Sequence, residues 1–291
     1  MTENKAFTAN NKHAYLIMAH DNWPILAKLL CLLDDPRHDI YLHIDVKSAR
    51  FFDMKWISLQ YSRLTVIEPR NVYWADYSVT DTELRLLKAA AQQKYTYYHL
   101  LSGVDFPLKS NEERFRFFEE SGKNFIGIVP KESYYSVRRV KFFHPFVHCF
   151  LYRNCKLLKA ADRLFEYLQR GIGINRLHDT KWKIIDGWTW FSIRNDLCME
   201  LVRSEGQIRK MFRSSIASDE LFIQTFVYNT PGFRETLYDE TDLKRGSMRY
   251  IDWKRGKPYT WENTEENYLL LMNSPYMFAR KFSEEKSGAL I

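Results

Sequence analysis

The chain alternates short apolar runs with longer stretches in which apolar residues recur every three or four positions. Ala14-Tyr15-Leu16-Ile17-Met18-Ala19 is continuously apolar, the pattern of a strand buried on both faces of a parallel sheet. His20-Asp21-Asn22 is a polar turn in which Asp21 or Asn22 can cap a helix, and Pro24 suits that helix's first turn. Ile25, Leu26, Leu29, Leu30 and Leu33 give residues 23–33 an apolar face, which Asp34-Asp35-Pro36 ends. Asp39-Ile40-Tyr41-Leu42-His43-Ile44-Asp45 predicts a second strand, closing a βαβ unit. A short strand is predicted at 64–67 and a helix at 78–93, with Thr80-x-x-Glu83 as a capping box. Tyr97-Tyr98-His99-Leu100-Leu101-Ser102 predicts another buried strand, which opens into Gly103-Val104-Asp105-Phe106-Pro107. In open α/β sheets that edge is where ligands bind.

A helix at 111–120 and a strand at 125–129 continue the rhythm, which then breaks over 131–186. That section reads as a basic aromatic helical insertion in one domain spanning residues 1–291. Within it Lys156, Lys159, Arg163 and Arg170 accompany Leu157, Leu158, Leu164, Phe165 and Leu168. Two outcomes fit this basic amphipathic pattern: a helix lying on a membrane surface, or an ordinary surface helix whose apolar stripe packs on the core. Gly187-Trp188-Thr189-Trp190-Phe191-Ser192-Ile193 restores the strand pattern, with alternating aromatics. Ser218-Asp219-Glu220 precedes an apolar helical stretch, so Glu220 is expected in a first turn, where the helix dipole favours its charge. That position suits a base and equally a cap. A strand at 248–254, a helix at 264–272 and Phe278-Ala279-Arg280-Lys281-Phe282 complete the chain, with basic pairs at Arg249/Lys254 and Arg280/Lys281.

Several chemistries are excluded. No Gly-x-Gly-x-x-Gly or Walker Gly-Lys follows the first strand, against a dinucleotide enzyme or a P-loop ATPase. The net charge of +7 favours polyanionic partners, and without a nucleic-acid module these are phosphates or a membrane surface. The four cysteines form no Cys-x-x-Cys, and His144, His148 and Cys149 have no further ligands close by to make a zinc site. Residues 1–12 are polar, and no run approaches the roughly 20 apolar residues of a membrane span. A cytoplasmic protein with reduced thiols is the expectation.

Six stretches in order carry a resemblance: Tyr15-Leu16-Ile17-Met18-Ala19-His20, Leu42-His43-Ile44-Asp45-x-Lys47-Ser48, Leu101-Ser102-Gly103-Val104-Asp105-Phe106-Pro107, Gly187-x-x-Trp190-Phe191, Ser218-Asp219-Glu220 and Phe278-Ala279-Arg280-Lys281-Phe282. From about residue 13 to 283 the chain resembles the core-2/I-branching β-1,6-N-acetylglucosaminyltransferases and the related peptide O-xylosyltransferases. The resemblance implies an α/β GT-A glycosyltransferase fold, a Rossmann-like mixed sheet flanked by helices. It implies a UDP-sugar donor, inversion by single displacement, and no metal or other cofactor. Carried onto this sequence, it puts His20 and Asp45 at the uridine and makes Glu220 the base. Arg249 and Lys281 become the cations on the diphosphate, and Trp188 and Trp190 an acceptor-side platform. Asp105 falls where metal-dependent relatives of this fold keep Asp-x-Asp, with Gly103 in place of the first aspartate. The residues alone leave Asp45 open between ribose or base acceptor and helix cap, and Asp105 between shaping the turn and facing a sugar hydroxyl.

The chain lacks the membrane anchor and many cysteines of animal relatives, so a bacterial-type member is expected, cytoplasmic or peripheral at the inner membrane face. Its task would be polysaccharide biosynthesis, moving N-acetylglucosamine to an oligosaccharide or lipid-linked glycan. Xylose is the alternative sugar. A reading from another class is a non-catalytic module binding polyanions or membranes.

Overall fold

The computed structural model describes residues 11–288 and residue 290, so most of the polar stretch read at 1–12 lies outside the described residues. Among the described residues nine strands form two sheets. The larger runs β3-β2-β1-β4-β7-β6, from β1 (His13–Ala19), β2 (His38–Ile44), β3 (Arg63–Val66), β4 (Tyr97–Ser102), β6 (Phe125–Val129) and β7 (Asp186–Arg194). The first four strands are parallel, and β7 runs antiparallel to both β4 and β6. The smaller sheet runs β5-β9-β8, from β5 (Asp105–Pro107), β8 (Arg249–Ile251) and β9 (Phe278–Arg280).

Both faces of the large sheet are covered. Along β1, Ala14 and Leu16 pack with the Tyr77–Ala91 helix, while Tyr15, Ile17 and Ala19 pack with the Trp23–Leu33 helix. This two-faced burial explains the continuous apolar runs. The order β2-β1-β4 means the chain leaves β1 toward one side and returns on the other. A crevice opens at such a switch, at the carboxyl ends of the strands.

Gly103 lies at this switch. Its N–H donates to the Met18 carbonyl at 2.8 Å, and a Cβ there would sit 2.9 Å from that of Ala19. Any side chain, aspartate included, would force the ends of β1 and β4 apart.

Three local expectations differ from the structure. The Tyr77–Ala91 helix is capped by Asp76, which accepts from the Ser78 N–H at 2.8 Å; Thr80 instead bonds the Ser218 hydroxyl at 2.8 Å, and Glu83 is fully buried. Ser218–Glu220 is a single 3-10 turn ahead of the Phe222–Asn229 helix, so Glu220 is not within that helix's first turn. The Lys156–Gly171 helix buries Asp162, Glu166 and Gln169 and leaves Leu157, Leu164 and Leu168 exposed, the reverse of a stripe packed on the core. Among the described residues no helix is long and apolar enough to cross a membrane.

The two sheets are bolted by Arg249, 1% exposed. Its Nη1 donates to the Ser247 carbonyl at 2.7 Å and its Nη2 to the Phe191 carbonyl at 2.8 Å and the Ser192 hydroxyl at 3.0 Å. The guanidinium also lies 4.3 Å from the centre of the Phe278 ring. Arg249→Met leaves these buried acceptors unmatched, an expected loss of about 3 kcal/mol, read as a lower urea midpoint at unchanged slope.

Candidate active site

A cavity of about 490 Å³ opens at the carboxyl edge of the large sheet, where the strand order switches. The end of β1 contributes Met18, Ala19 and His20, the end of β2 His43 and Asp45, and the end of β4 Ser102. Tyr73, Trp74, Phe150 and Arg153 line it too, together with Trp190, Asp219, Glu220 and Arg280.

Asp45 is 5% exposed and caps the Val46–Ala49 turn. Its Oδ1 accepts from the Lys47 N–H at 2.9 Å, and its Oδ2 from Lys47 Nζ at 2.7 Å and the Val72 N–H at 3.3 Å. Lys47 Nζ also sits 4.5 Å from the Tyr73 ring centre. His43 accepts from the Arg70 N–H at Nε2, so its proton is on Nδ1, and burial pulls its pKa down to about 4. It presents a neutral ring to the cavity.

Arg280 is held in place from behind. Asp105, in β5, pairs with Arg280 of β9 in the antiparallel register, and its Oδ1 accepts from Arg280 Nη1 at 2.8 Å. The same carboxylate accepts from the Ser102 N–H at 2.8 Å and from the Ser102 hydroxyl at 2.6 Å, and Arg280 bonds Ser102 too. The guanidinium lies 4.6 Å from the centre of the Trp190 ring, its side chain partly exposed. The geometry is that of a cation locked at one end and free to present its remaining N–H groups to an anion.

Glu220, also in the cavity lining, is oriented by Arg139, 4% exposed, whose Nη2 donates to Glu220 Oε2 at 2.8 Å and whose Nε donates to the Ile216 carbonyl at 3.1 Å. Asp219 beside it accepts from the Thr189 hydroxyl at 2.9 Å.

The family model for the Core-2/I-Branching enzyme matches residues 13–270. The chain belongs to this family. Core-2/I-branching enzymes are glycosyltransferases, and the mixed sheet flanked by helices is consistent with their GT-A-like fold. No curated protein matches the chain.

In this core-2/I-branching enzyme the structure gathers His20, Asp45, Glu220 and Trp190 around one cavity. Asp105 stands one layer behind, as the support of Arg280. Arg249, expected on the diphosphate, does not reach the cavity: its guanidinium is spent on backbone carbonyls between the sheets, and burial lowers its pKa to about 9. Lys281 and Trp188 are also absent from the cavity wall. The residues missed are Arg280, Arg139 and His43. Arg280 was visible as one of two adjacent cations, of which a strand can turn only one toward a given face. Nothing local pointed to Arg139, which meets Glu220 from 81 positions away.

Nor does a helix dipole hold Glu220 ionised. Crowding by protein raises its pKa and the charge of Asp219 adds to this, while Arg139 partly offsets both. Burial likewise raises Asp219 and Asp186. A carboxylate with a raised pKa is a stronger base at neutral pH. If Glu220 serves as a base it must be ionised to act, and kcat/KM should then fall on acidification through a value above that of free glutamate, about 4.3. Arg139→Lys loses the guanidinium that bonds Glu220 and the Ile216 carbonyl at once and should move this acidic limb further up in a pH–rate profile. A limb that stays put in the variant removes Arg139 from the control of Glu220.

Proposed function

We propose that the protein is an inverting glycosyltransferase that moves a sugar, with N-acetylglucosamine the first candidate, from a UDP-sugar to a glycan hydroxyl. The observation that carries this is a carboxylate, Glu220, and an arginine, Arg280, facing one cavity at the sheet's switch point. Glu220 takes the proton of the acceptor hydroxyl as that oxygen bonds to the anomeric carbon. The bond from that carbon to the UDP oxygen breaks, and its electron pair leaves with the diphosphate. Arg280 stabilises the charge that builds there. It takes the part that the family resemblance assigned to Arg249, and Lys47 and Arg153 add positive charge to the same cavity lining. A fixed guanidinium in this role supports transfer without a metal. On this reading uridine lies along His20, Asp45 and Tyr73 and the acceptor sugar against Trp190, all of which line the cavity.

Release of UDP from a donor panel tests the reading: UDP-N-acetylglucosamine, UDP-xylose, UDP-galactose and UDP-glucose, each with and without EDTA. Glu220→Gln should lower kcat by about 10²–10⁴-fold with UDP affinity retained. Arg280→Ala should weaken UDP about tenfold or more, the worth of a charge-assisted bond, and should cost more than Lys281→Ala. A fully active Glu220→Gln variant makes Glu220 a structural residue. Activity lost in EDTA and restored by manganese overturns the metal-free part. Loss of all UDP binding in the wild-type chain favours a non-catalytic module instead.

A further inference from the structure

The Lys156–Gly171 helix is built inside out. Its inner face carries a row of bonded polar side chains, with Leu158 and Phe165 partly buried beside them. Asp162 pairs with His144 at 2.8 Å, and Glu166 joins Arg138 at 2.5 Å and also Arg170. Gln169 accepts from the Phe143 N–H at 2.8 Å and donates to the Phe143 carbonyl at 2.9 Å. Arg170 is on the same helix; the other partners lie on Tyr134–Lys141 and the segment that follows it. The helix cannot roll to hide its leucines without breaking its contacts to Arg138, Phe143 and His144.

The outer face is apolar. Leu157, Leu164, Tyr167 and Leu168 fall on one side of the helix, and the residues flanking it extend the patch: Phe150 and Leu151 before it, Ile172 after. Leu157 is 81% exposed and Ile172 76%. Isolated exposed leucines need no explanation, but a continuous stripe backed by an engaged polar face does. Lys156, Arg163 and Arg170 recur every seventh residue and so line one flank of the stripe. Lys156 and Arg163 make no ion pair among the described residues. A soluble protein partner would need its own apolar groove with a negative border. A bilayer with anionic headgroups offers both at once, an acyl interior for the leucines and phosphates for the basic flank.

The stripe borders the cavity. Phe150 and Arg153, just ahead of the helix, belong to the cavity wall, and Lys159 lies 5.3 Å from the ring centre of Trp74, which also belongs to it. We infer that the outer face of the Lys156–Gly171 helix docks on an anionic membrane surface and sets the cavity mouth at that surface, so that the acceptor is a glycan carried on a lipid. The acceptor clause rests on the transferase reading; the docking itself does not.

Flotation of the full chain with phosphatidylcholine vesicles, with and without phosphatidylglycerol, tests this. The protein should float with the anionic vesicles and leave them in high salt, since the headgroup attraction is screened. Leu157→Ser/Leu164→Ser/Leu168→Ser should cut partitioning about tenfold or more. Lys156→Glu/Arg163→Glu should abolish the preference for anionic vesicles. The thermal shift produced by UDP should be equal in all of these, which reports intact folding and keeps the two readings separate. Docking without a UDP shift sinks the transferase reading alone. No flotation, or flotation unchanged in the leucine variant, overturns the docking. So does light scattering that shows a dimer which the leucine variant splits, because a second copy then covers the stripe.

Discussion

The Asp105–Arg280 pair is the contact on which the site depends. Asp105 follows the turn at the end of β4, and Arg280 lies 175 positions later. Their pairing ties the small sheet to the switch point of the large one and leaves the guanidinium stacked by Trp190 at the cavity. The turn itself leaves no room for a second aspartate, because Gly103 is pressed against Ala19. What remains at this edge is one carboxylate turned inward to hold a cation. The positive charge that faces the cavity is thus built by the fold, from residues that are remote in the chain.

Charge around Glu220 is arranged by crowding. Burial raises Asp186, Asp219 and Glu220, the charges of Asp219 and Asp186 raise Glu220 further, and the buried cation Arg139 lowers all three. Glu83 stands behind them, fully buried with both carboxyl oxygens unpartnered; burial and the charge of Asp219 raise its pKa well above the usual carboxyl range. A neutral Glu83 adds no charge to the cluster, and the excess over Arg139 stays with Asp186, Asp219 and Glu220. A base in such surroundings holds its proton more readily than a free carboxylate does.

Phe150 and Arg153 of the cavity lining lead into the Lys156–Gly171 helix, whose Lys159 lies over the Trp74 ring of the same lining. The helix is held by ionic and amide contacts, and its leucines are left outward. Buried ion pairs contribute little net stability compared with apolar packing. A helix oriented by them at the expense of its leucines is oriented for contact beyond the chain.

Most elements of the fold were legible in the sequence. The apolar runs of β1, β2 and β4, the helices at 23–33 and 111–121 and the strand at 125–129 follow from local periodicity, because each pattern is satisfied within its own segment. So was the edge that carries the cavity, since strand ends followed by polar turns mark it. Local pattern does not say which surface of a helix turns inward, and the leucines of 156–171 read the same whether buried or exposed. Nor does it say which of several cations reaches a site. Arg249 and Arg280 each begin or end a short strand, yet register with β5 sends Arg280 to the cavity while packing between the sheets consumes Arg249. Those outcomes depend on pairings between residues of different elements, as close in the chain as Asp162 with His144 and as far apart as Asp105 with Arg280, and only the tertiary structure decides them.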